Sequence, residues 1–306
     1  MTTDKIAFVG LGSMGAGMAG CLVASQQRVV AYDVAEGARR AFVAAGGNVA
    51  ASTTEAATDA RVFVLVVASD GQAESVLFGD GVVGALPPGA TVVLHSTVPP
   101  AYAEALGKRL AERGLHLLDA PMTGGVAAAA AGQIMVMASG GEAAFAAATP
   151  VIERYAKRIV NVGPAPGQGS TMKMAHQLLA GVHIATAAEA LALATRAGID
   201  PALFFDVATS GAANSWMLGN RGARMVSGDF TTTSAVEIFV KDLGIVLDGG
   251  RALRFPLPLA AAAHQQFLAA AAAGHGRIDD AAVVKVYEML AGISVAGAAK
   301  AAAKKT

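Results

Sequence analysis

The sequence predicts a doubly wound α/β domain with a mostly parallel sheet, followed by an all-α domain. Three observations predict this. Short apolar runs alternate with helix-length segments through the first half of the chain, and most are continuous rather than alternating, as parallel strands covered on both faces by helices are. A glycine fingerprint, Gly10-Leu11-Gly12-Ser13-Met14-Gly15, directly follows the first run. Beyond Gly163-Pro164-Ala165-Pro166-Gly167, where two prolines and two glycines stop a strand, strand signal almost vanishes.

In chain order, residues 6–9, 28–32, 62–67, 91–94, 115–118, 134–138 and 159–162 read as strands. Segments 13–25, 36–45 and 101–113 are long enough for crossover helices. After the proline-glycine stretch come five helical segments: 168–197, 201–209, 235–254, 259–273 and 281–299. The expected division is therefore 1–164 for the α/β domain and 165–306 for the helical one. The basic tail from Lys300 to Thr306 is expected to fray.

Composition narrows the function. Of 306 residues, 54% are hydrophobic and only 15% are charged, which excludes a disordered chain. Lys plus Arg equals Asp plus Glu at 23 each, so no basic excess is available for nucleic acid. Cys21 is the one cysteine, which excludes an internal disulfide and a thiolate metal cluster and fits a reducing compartment. The histidines and carboxylates show no metal-ligand spacing, so no metal is expected. The greasiest stretch, 178–194, is Ala-rich and contains His183 and Glu189; it reads as a helix buried in protein rather than a membrane span. With no secretory signal in the first residues, a cytoplasmic protein is expected.

In the fingerprint, Gly10 allows a tight turn, Gly12 lets the backbone approach a pyrophosphate, and Gly15 lets helix and strand pack closely. Leu11, Ser13 and Met14 complete the cofactor loop. Asp33 stands at the end of the second strand, 18 residues after Gly15. A carboxylate there accepts from ribose hydroxyls and repels a 2′-phosphate. No arginine follows at once, since Arg39 and Arg40 lie further on, so NAD is preferred to NADP. Taken alone, this Rossmann fingerprint would also suit FAD or an S-adenosyl group.

In Gly167-Gln168-Gly169-Ser170-Thr171-Met172-Lys173-Met174-Ala175-His176-Gln177 a lysine sits near the start of a long apolar helix. Lys173 and Gln177 share a face at i and i+4. The helix dipole and burial would both lower the lysine's pKa, suiting it to take a proton from an alcohol during hydride transfer. A solvated surface lysine is the other reading of that residue by itself.

Four segments in order are similar to the β-hydroxyacid dehydrogenase family, which includes 3-hydroxyisobutyrate dehydrogenase and tartronate semialdehyde reductase. They are residues 10–15, Asp119-Ala120-Pro121-Met122-Thr123-Gly124-Gly125, the segment 167–177, and Lys241-Asp242-Leu243. The resemblance spans essentially the whole chain. It implies an NAD(P)-dependent oxidation of a small hydroxy acid, with Lys173 as catalytic lysine. It also implies that Thr123, Gly124 and Gly125 hold the substrate carboxylate, which a hydroxyl and two amides suit chemically. Ser96 and Thr97 match the segment beside the nicotinamide, Val66, Val67 and Ala68 flank the cofactor, and Lys241 matches a lysine lining the cofactor and substrate cleft.

Departures from the family pattern narrow it further. His176 and Gln177 replace the usual Asn-Asn pair, and Thr123 replaces serine. The His-Gln variant, with 177–184, Asn214-Ser215-Trp216-Met217 and 254–259, resembles the branch that oxidises the C2 hydroxyl of L-threonate. Gln177 offers the amide of Asn one methylene further out and is expected to orient the substrate hydroxyl. The decarboxylating 6-phosphogluconate enzymes are disfavoured, because the acid they carry seven places after the lysine is Ala180 here. Trp216 suits either the substrate or packing. The apolar helical half suggests a homo-oligomer, dimer or tetramer.

Overall fold

A computed structural model describes residues 4–304, and contacts divide the chain into units 1–174 and 175–306. The first unit contains β1 (Lys5–Val9), α1 (Gly15–Ala24), β2 (Val29–Tyr32), α2 (Glu36–Ala44), β3 (Asn48–Val49), α3 (Thr53–Ala57) and β4 (Ala60–Leu65). It continues with α4 (Asp70–Glu74), α5 (Val82–Ala85), β5 (Thr91–Leu94), α6 (Pro100–Ala111), β6 (His116–Asp119) and β7 (Met122–Thr123). Then follow α7 (Gly125–Ala130), β8 (Ile134–Ser139), α8 (Glu142–Ile152), β9 (Ala156–Gly163) and the start of α9 (Gln168–Arg196).

These strands form one sheet in the order β3-β2-β1-β4-β5-β6-β8-β7, with β9 on β8. The pairs from β3 to β6 are all parallel, while β8 runs antiparallel to β6 and β7. The order reverses direction between β1 and β4, the crevice where doubly wound sheets bind ligands at the strands' carboxyl ends. Alternation along β1 fills both faces. Ile6 and Phe8 pack in one core with Met18, Leu22 and Ile152, while Ala7 and Val9 join Phe63, Leu77 and Leu106 in the other. Each fully buried Phe or Leu is worth about 2 kcal/mol of transfer free energy.

Local signals set the helix starts. Ser52 accepts from the Glu55 amide to begin α3, and Ser69 accepts from Gln72 to begin α4. Helix α1 crosses α7 with almost no gap: a Cβ on Gly17 would lie 2.7 Å from the Ala130 nitrogen. Cys21, a free thiol, lies on the same crossing, 3.6 Å from the carbonyl oxygens of Ala129 and Ala130.

The second unit is helical: the rest of α9, α10 (Pro201–Ser210), α11 (Ala223–Ser227), α12 (Val236–Leu253), α13 (Pro258–Ala270), α14 (Val284–Ala291) and α15 (Val295–Ala303). Asp200 caps α10 ahead of a proline at the first helical position. Phe239 of α12 stacks on Phe267 of α13 with ring centroids 5.1 Å apart. The single helix expected at 281–299 is broken: Gly292 adopts φ 61°, Ser294 caps α15, and the two pieces meet at 88°. Of the tail expected to fray, residues 300–303 continue α15, while Lys305 and Thr306 lie outside the described residues. Helix α9 is long and apolar enough to cross a membrane, and half of its most apolar window is buried.

Candidate active site

The fingerprint forms the turn between β1 and α1. Gly10 has φ +101°, and a Cβ there would sit 2.0 Å from the carbonyl oxygen of Val66, so only glycine fits. A Cβ on Gly15 would strike the Gly10 oxygen at 1.9 Å, whereas one on Gly12 would meet nothing within 4 Å. The loop is thus tight at both ends and open at its middle, where a pyrophosphate needs room. Asp33 follows β2 and is held by two backbone amides: Oδ2 accepts from Leu11 at 2.7 Å and Oδ1 from Ala35 at 2.7 Å. The carboxylate is therefore aimed and stiffened beside the fingerprint, as a ribose acceptor should be. These residues fit a dinucleotide. Arg39, over the Tyr32 ring, donates to the carbonyls of Asp33 and Val34.

Next to β1 at the switch point, β4 stops at Leu65 and Val66, Val67 and Ala68 follow it. The Val67 amide donates to Ser96 Oγ at 3.2 Å, which joins this segment to Ser96 and Thr97 beyond β5. Strand β6 runs into Thr123, and β7 pins that residue opposite Met135 of β8. Gly124 and Gly125 follow with φ 139° and 78°, and both are at least partly exposed. The first unit therefore places the expected cofactor segments directly after β1, β2, β4 and β5, and Thr123 in β7, just beyond β6.

His95, immediately before Ser96, carries no signal in the sequence. Its ring is 2% exposed; Nδ1 lies 2.6 Å from the Ala120 carbonyl oxygen and Nε2 lies 2.9 Å from the Tyr155 hydroxyl. A carbonyl only accepts, so Nδ1 carries the proton and Nε2 accepts from Tyr155. Burial holds this imidazole neutral by lowering its pKa to about 4. Asp119 stands out in the sequence only as a letter of its motif. It is fully buried at the end of β6 and accepts from the amides of Gly167 at 2.9 Å and Ser170 at 2.8 Å and from the Ser170 hydroxyl at 2.7 Å.

Lys173 lies one turn beyond that contact and is 7% exposed, which removes the reading of a solvated surface lysine. In the second unit, Gln177 is 6% exposed. Its Nε2 donates to Asp242 Oδ2 and its Oε1 lies 3.0 Å from His176 Nδ1. Asp242 in turn pairs with Lys241 at 2.8 Å; at 2% exposure it is no surface residue. Because Asp242 only accepts, the Gln177 amide is fixed in orientation. No local signal marks Asp242, since its partner is 65 residues away.

Trp216 is 59% exposed, so it is not a packing residue within this chain. Asp279 caps the short helical turn Asp280–Val283. The sequence pattern does not reveal that both acids are buried: Asp280 pairs with Arg221, and Asp279 lies 3.2 Å from Arg224. Among the described residues, no three His, Cys, Asp or Glu side chains are grouped to hold a metal.

Comparison with known proteins finds relatives over nearly the whole chain. The family described as the NAD binding domain of 6-phosphogluconate dehydrogenase matches residues 5–163. The one described as the NAD-binding domain of NADP-dependent 3-hydroxyisobutyrate dehydrogenase matches 167–287. The chain is 48% identical to an L-threonate dehydrogenase of Cupriavidus necator, over 97% of this chain and 99% of the relative. A crystal structure described as 3-hydroxyisobutyrate dehydrogenase from Salmonella typhimurium is 46% identical with TM-score 0.89, covering 92% of this chain and 99% of that one. The Mycobacterium tuberculosis 3-hydroxyisobutyrate dehydrogenase with L-serine is 30% identical with TM-score 0.81, over 93% and 99% of the two chains.

Proposed function

Because the chain belongs to the 3-hydroxyisobutyrate dehydrogenase family of NAD-binding dehydrogenases, we propose that it oxidises L-threonate at C2 to the 2-oxo acid, with NAD preferred to NADP. The observation that carries this reading is Lys173: an almost buried amine one turn from the end of the strand that leads into Thr123. The 48% identity to an L-threonate dehydrogenase supports the substrate.

Bound NAD supplies the hydride acceptor. Residues 10–15 cradle its pyrophosphate, and Asp33 accepts from the adenosine ribose hydroxyls and repels a 2′-phosphate. Val67, Ala68 and Thr97 border the nicotinamide, and Lys241 adds a cation on the cofactor side, as its match in the family implies. The Thr123 hydroxyl and the Gly124 and Gly125 amides hold the substrate carboxylate. The Lys173 amine takes the C2 hydroxyl proton as the hydrogen on that carbon leaves with its electron pair. Gln177 donates its remaining N–H to a substrate oxygen. The division is an NAD-binding domain at 1–164 and a helical substrate and oligomerisation domain at 165–306, in a cytoplasmic enzyme that binds neither nucleic acid nor membrane. Exposed Leu179, Leu193, Leu203 and Leu259 of the second unit support a homo-oligomer, read by light scattering.

A second substrate, 3-hydroxyisobutyrate, is favoured by the likeness to the Salmonella 3-hydroxyisobutyrate dehydrogenase. The test follows NADH absorbance with L-threonate, D-erythronate, D-glycerate, L-serine and 3-hydroxyisobutyrate, with NAD and NADP in parallel. L-threonate with NAD is expected to turn over fastest, and Lys173→Ala is expected to lose roughly 100-fold or more in kcat. Turnover on 3-hydroxyisobutyrate alone moves the substrate and keeps the lysine; wild-type turnover in Lys173→Ala overturns the mechanism.

A further inference from the structure

Helix α9 carries Lys173, yet the residue before its first turn is Gly167, which has no side chain to cap it. An uncapped first turn leaves amide protons unsatisfied, and in a buried setting each costs free energy. Asp119, 48 and 51 residues away in sequence, supplies the missing acceptor. Its Oδ2 takes the Gly167 and Ser170 amides and its Oδ1 takes the Ser170 hydroxyl. Ser139, at the end of β8, takes the Gly169 amide at 2.8 Å. Contact is so close that a Cβ on Gly169 would lie 2.6 Å from the Asp119 carbonyl oxygen and 2.7 Å from that of Met137. The first turn is thus bolted to two strand ends through main chain and side chain together.

We infer that Asp119 is a positioning residue for Lys173: it fixes the helix that bears the amine to the strand that runs on into Thr123, Gly124 and Gly125. This rests on the reading of Lys173 as general base. Ser170 and Lys173 are three residues apart, on adjacent turns of one face, so a shift at the cap is carried to the amine. Thr123 stands four positions after Asp119 in the chain. One buried carboxylate therefore sets the span between the proton acceptor and the anion-binding loop. Reaction rates are steep in such spans, and a displacement of about 1 Å can cost on the order of 100-fold.

The test uses Asp119→Asn, which keeps the shape and removes the charge, and the milder Ser170→Ala, which removes one of the three bonds that residues 167–170 donate to Asp119. For Asp119→Asn, kcat on the best acid should fall roughly 10- to 100-fold while KM for NAD stays within about twofold, because residues 10–15 are untouched. Ser170→Ala should lose about 3- to 10-fold in the same pattern. Either change made on top of Lys173→Ala should cost less than about twofold more, since two residues acting through one group are not additive. Hydrogen exchange of the 167–173 amides, read without cofactor or substrate, should speed up about tenfold or more in Asp119→Asn. Additive losses, an unchanged exchange rate, or a KM effect without a kcat effect would overturn the inference. An unimpaired Lys173→Ala would instead overturn the general-base reading beneath it.

Discussion

Replacing His95 by Gln tests the buried link between the ends of β5 and β6. The neutral ring satisfies both neighbours: Nδ1–H donates to Ala120 and Nε2 accepts from Tyr155. Protonation would turn Nε2 into a donor facing a hydroxyl that already donates to it. Burial accordingly lowers the pKa from the ordinary 6.5 to about 4. A folded pKa below the unfolded one means stability that is present above pH 6.5 and lost as pH falls toward 4. Each pH unit in that window is worth about 1.4 kcal/mol, so the wild type should lose about 2 kcal/mol from this group by about pH 5. Asp280 works the other way. Burial raises it to about 6, so its contribution is lost as pH rises through the same range, but it is common to both proteins and cancels in their difference. Gln places its Oε1 where Nε2 stood and can accept from Tyr155, but it leaves the Ala120 carbonyl without the donor that Nδ1 supplies, a cost of about 1–3 kcal/mol near neutrality. Urea unfolding followed by circular dichroism at about pH 7.5 and about pH 5 should find the gap between wild type and His95→Gln narrowing by about 2 kcal/mol at the lower pH. A gap that does not change with pH would refute the neutral, doubly bonded histidine.

Three further outcomes are expected. Asp33→Ser should weaken NAD binding by about tenfold or more and improve NADP binding, with Arg39 then close to the 2′-phosphate; equal affinities before and after would remove Asp33 from the ribose. Gln177→Asn draws the amide back by one methylene from Asp242 and should cut kcat/KM for the four-carbon acid by roughly 10- to 100-fold, which steady-state kinetics on the acid panel will read. Arg221→Met strands the buried Asp280 carboxylate without its 2.5 Å partner and should destabilise the helical unit by about 3–5 kcal/mol, measured by thermal unfolding near neutral pH.

The parallel sheet is legible in the sequence because its strands are buried on both faces and so read as unbroken apolar runs. The fingerprint is legible because Gly10, Gly15 and Asp33 meet within one local strand–turn–helix–strand unit. Strands β3 and β7 are not, since each is only two residues long and exists through pairing with a neighbour rather than through its own pattern. The break between α14 and α15 has a signal in Gly292 and Ser294, but the alanine-rich flanks outweigh it. Asp119, His95 and Asp242 are invisible as functional residues for a different reason. Their partners stand 48, 60 and 65 residues away, and a carboxylate written beside a lysine reads as a surface pair until burial is known.

The crossing of α1 and α7 bears on how such an enzyme can be rebuilt. The first helix issues from the loop assigned to the cofactor and the second from the loop assigned to the acid. At Gly17 their backbones approach too closely to admit even a methyl group. The two recognition loops therefore form one mechanical unit with a single shared seam. A graft that imports either loop together with its helix from a relative must bring the facing helix as well, so that the seam at Gly17 stays matched.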